Sequence, residues 1–332
     1  MATYTHIDLD DARAIAIRFG VQATGLAAIA AGSVNSNYRL ESAGGKPYLA
    51  RIYEEASRAD AEAEGRLLHR LADAGVPTPC PVARLDGGAF TVPAPAAVGG
   101  RPVALFPWRD GDMLCQARVT PLAAARVGAA LARVHLALAD VAEPRPGRFG
   151  IADLCARLRT IAEAPDAALR AVAPVIAERL ERATATRDPA LPGGIVHGDL
   201  FRDNVLWRDG AIVALLDFES AAEGSWTYDL MVTVLAWCYG DDLDLGLVRA
   251  MLTGYQTVRP LSPAERRALG PEGRFAALRF SITRITDFTL RTARETHVMK
   301  DWRRFWARLA RLDALGDAAL AALASPATPP QQ

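Results

Sequence analysis

Three features of the chain predict an α+β fold. The first third alternates short strand-like runs with Gly- and Pro-rich turns, the remainder is rich in alanine, leucine and arginine at helical spacing, and one strand-rich interruption falls at residues 195–217. This pattern divides the chain into a small antiparallel-sheet lobe at 1–106, a mostly helical lobe at 107–323, and a polar, proline-rich tail at 324–332 that is expected to be disordered. A chain of 332 residues with 51% hydrophobic content can bury the cores of one bilobal unit or two domains.

Asp8 to Phe19 has helical periodicity. Asn37–Glu41 and Tyr48–Tyr53 flank the turn material Ser42 to Pro47 and predict a β-hairpin. Helical spacing returns from Ala56 to Ala74, with Leu67, Leu68 and Leu71 on one side and Gly75 to Pro79 as the stop. Strand-like pieces at 81–84, 89–92 and 103–106 complete a modest sheet with that helix against it. After Pro107–Asp112 the spacing predicts helices over 121–139, 151–164 and 165–184, then over 227–239, 244–255, 273–292 and 301–323.

The 38 basic and 38 acidic residues cancel, which argues against a nucleic-acid surface or an acidic lipid partner driven by net charge. Cys80, Cys115, Cys155 and Cys238 show neither close pairing nor metal-ligand spacing, so they are read as buried free thiols in a reducing, cytoplasmic setting. No segment has the apolar length of a membrane span, and the amino terminus lacks the pattern of a signal peptide. The expected partner is a small molecule, with oligomeric state left open.

The chemistry concentrates in Ile195–Trp207 and Ala214–Glu219. Asp199 and Asn204 stand five positions apart on a loop that runs into a strand, and Asp217 follows Asn204 by 13 positions, at the end of a second apolar run beyond the turn Asp209–Gly210. A hairpin would bring Asn204 and Asp217 together. Phosphoryl transfer requires an in-line nucleophile and neutralisation of charge on the transferred group, so these residue types fit a kinase. Asp199 would accept the proton of a substrate hydroxyl, and Asn204 and Asp217 would give Mg2+ the hard oxygen ligands it prefers beside ATP phosphates.

On His197, Gly198, Asp199, Asn204 and Asp217 the chain resembles the aminoglycoside phosphotransferase and choline kinase superfamily, whose motif is H-G-D-x-x-x-x-N followed by I-D-F/W. Gly32–Tyr38, His197–Val205 and Tyr228–Cys238 are most similar to the bacterial homoserine kinases of that fold, as are Ala277–Phe280, Thr283, Arg284, Asp287, Lys300 and Asp301. The resemblance covers roughly residues 30–310. It implies a protein-kinase-like bilobal fold with ATP between the lobes, and transfer of the γ-phosphoryl group to L-homoserine, a step of threonine biosynthesis.

The same resemblance places a phosphate-covering loop at residues 32–38, where Gly32 allows close backbone approach and the Ser33 and Ser36 hydroxyls donate to phosphate. It puts an adenine-binding backbone at Ala104–Trp108, around Phe106. Arg51 would stand where kinases usually carry a lysine, paired with Glu64; arginine also grips phosphate. The plainer alternatives are an ordinary polar turn, an exposed strand arginine and a helix-surface glutamate.

A homoserine site needs a cation and an acidic or carbonyl acceptor, and Arg279, Arg284 and Asp287 provide those types on one helix. His197 is expected to support the loop, Asp229 to cap its helix or brace the loop, and Trp226, Trp237 and Phe218 to be core. Left open are another acceptor (aminoglycoside, choline or sugar), a catalytically weak nucleotide-binding regulator, and a metallohydrolase using His197, Asp199 and Asp217.

Overall fold

The computed structural model describes residues 5–29, 34–141, 147, 149–290 and 300–325. One unit takes in the described residues up to Gly111 together with Val213–Leu216, and the second begins at Asp112.

In the first unit Asp8 caps helix α1 (Leu9–Ala16): its carboxylate accepts from the Asp11 amide at 2.9 Å and Asp11 returns a bond to the Asp8 amide at 3.2 Å. Strands β1 (Ala23–Ile29), β2 (Ser36–Ser42) and β3 (Tyr48–Ile52) follow, then helix α2 (Arg58–Asp73), β4 (Thr91–Pro93) and β5 (Pro102–Pro107). The five strands form one antiparallel sheet in the order β1-β2-β3-β5-β4. Tyr38 stands opposite Ala50, and Ala50 opposite Leu105, so alternate residues face one core. Leu40, Ile52, Val103 and Leu105 are fully buried there beside Ile15 and Phe19, each such side chain contributing about 1.5–3 kcal/mol.

Two expectations change in this unit. β1 was not anticipated, because Ala23–Ile29 is mostly small residues with weak strand preference. Residues 81–84 form no strand; Val82 donates one amide hydrogen bond to Leu105 O at 2.7 Å at the edge of β5. Helix α1 joins α2 in packing against the sheet, so the sheet is covered by two helices, not one. The run Val213–Leu216 is tied in by Leu215, whose amide donates to Pro77 O at 2.7 Å and whose carbonyl accepts from Thr78 Oγ1 at 3.0 Å.

The second unit opens with α3 (Pro121–Ala137), α4 (Ile151–Ala162) and α5 (Ala167–Ala185). Four short strands interrupt the helices along the chain: β6 (Gly193–Val196), β7 (Val205–Arg208), β8 (Ala211–Leu215), whose residues from Val213 on count with the first unit, and β9 (Ala222–Ser225). β6 pairs with β9, while β7 and β8 form a hairpin whose turn residues Asp209 and Gly210 both have positive φ. Then come α6 (Trp226–Trp237), α7 (Leu245–Gln256), α8 (Pro263–Arg284), α9 (Arg303–Leu315) and α10 (Asp317–Leu323). α6 is buried along most of its length, with Trp237 fully enclosed. α3 and α7 touch backbone to backbone: a Cβ at Gly254 would lie 2.0 Å from Ala125 O.

Helix α8 starts ten residues before the expected 273. Ser262 and Glu265 form a capping box around Pro263, and this start signal outweighs the glycines that follow. The helix gives way to a π-helical turn at Ile285–Thr289. The expected helix over 301–323 is two helices, divided at Gly316, whose φ is +78°. Among the described residues no helix is long and apolar enough to cross a membrane. The four cysteines are free, as expected, but only Cys238 is buried; Cys115 and Cys155 are exposed.

Candidate active site

The loop between β6 and β7 is shaped from behind. Gly198 has φ +73°, and a Cβ there would meet Ser220 O at 3.2 Å, so the turn into Asp199 favours glycine. The Asp229 carboxylate, fully buried on α6, accepts from the His197 and Gly198 amides, each at 2.8 Å. His135 Nε2 on α3 lies 3.0 Å from the same carboxylate, while its Nδ1 lies 2.7 Å from the Tyr255 hydroxyl. Arg259 donates to that hydroxyl at 3.2 Å and pairs with Glu265 at 2.7 Å. Burial lowers the pKa of His135, so the imidazole is neutral and donates to a charged Asp229. Burial alone would raise Asp229, but the hydrogen bonds from His135 and the Gly198 amide hold it below the ordinary carboxylate range.

His197 is itself buried; its Nδ1 accepts from the Asp199 amide at 3.3 Å and its ring packs on Phe218 with centroids 4.5 Å apart. That engagement fits the loop-supporting role expected of this ring. Asp229 braces the loop, while the helix cap falls to Ser225. Phe218 and Trp237 are core as expected, and Trp237 Nε1 also donates to Leu200 O at 2.9 Å. Trp226 is partly exposed, with the Arg259 guanidinium 4.3 Å from its ring centre.

The front of the loop is less satisfied. Asp199 keeps 29% of its side chain exposed, and Arg279 Nη1 stands 3.7 Å from its Oδ1. Desolvation raises the Asp199 carboxyl above its ordinary range; Arg279 opposes this, and the like charge of Asp217 adds to it. Arg279 is buried, its guanidinium 3.9 Å from the Phe149 ring centre and 3.8 Å from that of Phe280, and its Nε has no hydrogen-bond partner among the described residues. Asn204 Nδ2 donates to Asp199 O at 2.8 Å, so its Oδ1 is the atom left for a cation. Asp217 follows the hairpin in the left-handed region, at φ +64°, a strained conformation for a non-glycine residue.

The remaining predicted residues fare differently. Arg51, on β3, lies 3.8 Å from Glu64 on α2, with its guanidinium 5.6 Å over the Phe106 ring; Glu64 also accepts from the Tyr53 hydroxyl at 2.9 Å. Phe106 lies in β5 opposite Leu49. Gly32 and Ser33 fall outside the described residues. Ser36 corrects its expected role: it is fully buried at the start of β2, its hydroxyl donates to Glu54 and accepts from the Thr5 amide at 3.0 Å, and so it is not a phosphate donor. Asp287 is corrected too, because its carboxylate is held by Arg157 and by the Thr286 hydroxyl at 2.9 Å. Arg284 donates to Asp301 O at 3.0 Å and lines a cavity.

Residues 25–261 match the model of the Phosphotransferase enzyme family. The chain belongs to that family. This phosphotransferase is 34% identical over 291 residues to a homoserine kinase of Beijerinckia indica, covering 87% of this chain and 88% of that one. It is 36% identical over 296 residues to a homoserine kinase of Chelativorans, with coverage of 87% and 88%. Among solved structures, an amicoumacin kinase in complex with AMP-PNP and Ca2+ superposes with a TM-score of 0.66 at 17% identity, over 88% of each chain. A microcompartment-associated aminopropanol kinase gives 0.62 at 20% identity, over 96% of this phosphotransferase and 99% of that chain. These likenesses bear out the kinase-like α+β fold.

Sequence reasoning missed His135 and left Asp229 between two roles. A histidine inside an alanine-rich apolar helix was the available signal for the first, since a buried imidazole needs partners.

Proposed function

We propose that this phosphotransferase transfers the γ-phosphoryl group of ATP to the side-chain hydroxyl of L-homoserine, with Asp199 as general base. The observation that carries the chemistry is the partly exposed Asp199 carboxylate, held on a braced loop and faced by the buried Arg279. The names of the relatives support the acceptor.

Asp199 would orient the hydroxyl and take its proton as the oxygen attacks. Arg279 would keep the carboxylate ionised and offset charge that develops beside it. The donor set suits a divalent ion: the Asn204 amide is anchored through its nitrogen, and the Asp217 carboxylate has no hydrogen bond or ion pair among the described residues. Mg2+ bound there with ATP would neutralise charge on the phosphates. Arg51, steadied by Glu64, would grip the phosphates of the nucleotide.

The test is a panel of acceptors with ATP and Mg2+: L-homoserine, choline, an aminoglycoside and simple sugars. Preference for L-homoserine is expected, and a wide margin for another acceptor refutes the assignment. Asp217→Ala is expected to weaken binding of the metal–nucleotide complex about 10-fold or more, measured by calorimetry with AMP-PNP and Mg2+.

A further inference from the structure

The second unit contains a cavity of about 550 Å3 whose wall carries four cations, Arg202, Arg284, Lys300 and Arg304, and two carboxylates, Asp203 and Asp301. Other arginines of this unit have carboxylate partners: Arg157 with Asp153, Arg187 with Glu272, Arg259 with Glu265, Arg274 with Asp313 and Arg311 with Asp242. The four in the wall have none among the described residues. Arg202 donates to Gln116 Oε1 at 2.7 Å and to the Ala236 carbonyl, and Arg284 to the Asp301 carbonyl. Lys300 sits 5.3 Å from the ring centre of Phe288, and the Arg304 side chain is exposed to solvent. Their mutual repulsion is felt: burial first, then the charge of Arg304, pulls Arg284 down to about 10.

Four cations gathered with only two carboxylates among them, none within ion-pair distance of the four, are costly unless an anion joins them. The wall also lies beside the reacting centre. Phe201 and Arg202 follow Asp199 by two and three positions, and both Lys300 and Arg284 act electrostatically on the Asp199 carboxylate. The volume is that of a small-molecule site. The mixed sign of the wall favours a zwitterion, since a phosphate would meet Asp203 and Asp301 as well.

We propose that this cavity takes the α-carboxylate of an amino-acid acceptor through Arg284, Lys300 and Arg304, with Asp203 as the counter-charge for its ammonium group. Of these, sequence offered Arg284 as a substrate residue and Lys300 only as part of the resemblance. The assignment rests on the kinase reading of Asp199, and it adds what selects the acceptor: a carboxylate beside the amino alcohol.

The test compares L-homoserine with 3-aminopropan-1-ol, which lacks only the carboxylate, in wild type, Lys300→Gln, Arg304→Gln and the double variant. Each single change is expected to raise KM for L-homoserine about 10-fold, the double about 100-fold, with KM for ATP unmoved. The preference for L-homoserine over the decarboxylated acceptor should fall by the same factors. Arg311→Gln, which breaks an exposed ion pair outside the cavity, should behave as wild type. If wild type phosphorylates L-homoserine and the double variant keeps its KM and its preference, the cavity assignment is overturned while the activity stands. If wild type ignores L-homoserine, the acceptor itself is wrong, and the carboxylate pocket falls with it.

Discussion

The back and the front of the catalytic loop treat charge in opposite ways. Behind it, Asp229, His135, Tyr255, Arg259 and Glu265 form a connected buried network in which each member has a partner. In front, Asp199 meets Arg279 only at 3.7 Å, Arg279 Nε is unpartnered among the described residues, and the nearby cavity wall holds four cations against two carboxylates. Internal partners hold a shape, whereas missing partners mark where a ligand completes the electrostatics.

The sharpest way to separate these regions is Asp199→Asn. Loss of the base should lower kcat by about 10²–10⁴-fold in a steady-state assay, with nucleotide binding retained. Its effect on stability should run the other way. The folded-state pKa of Asp199 is raised, so the folded protein holds that proton more tightly than the unfolded chain does. Stability from this group is therefore present at low pH and lost as pH rises from the ordinary carboxylate range through the raised value. At neutral pH the Asn variant should melt at a higher temperature than wild type, and a lower melting point would contradict the view of the front as ligand-directed.

Next in size is Asp229→Ala, which strips three partners from the network. A loss of about 3–5 kcal/mol in denaturant unfolding is expected, together with a fall in kcat because the His197 and Gly198 amides lose their anchor. The Asp229 pKa is lowered in the folded state, so its contribution is present above the unfolded carboxylate value and lost as pH falls through the folded one. Acid unfolding of the variant should show a shallower pH dependence. The smallest effect is expected from Tyr255→Phe, which removes one hydroxyl between His135 and Arg259. It should cost about 1–3 kcal/mol and leave KM for the acceptor in place; a selective rise in that KM would join the two regions functionally.

How far sequence reached follows from how local each signal is. The triad of Asp199, Asn204 and Asp217 lies within one short stretch around a hairpin, so spacing and residue type were enough to name it and its chemistry. Ser36 looked like Ser33 in sequence; only the placement of Ser36 in β2 against Glu54 tells a buried strand hydroxyl from a loop donor. Asp287 was of the right type for a substrate ligand, yet Arg157, far away along the chain, claims it. Lys300 and Arg304 were invisible as a pair with Arg202, because their convergence depends on how α8, α9 and the catalytic loop pack. The start of α8 is written in Ser262, Pro263 and Glu265, a capping box with proline in the first turn.

The brace has a consequence for how the protein comes into being. His135 must find Tyr255, 120 positions later, and Asp229, 94 positions later, before the amides of His197 and Gly198 have their final partner. A nascent chain that has already emerged past its catalytic motif therefore carries the residues of a kinase without their geometry. Competence arrives only with long-range closure of the helical unit, the slow kind of contact in folding.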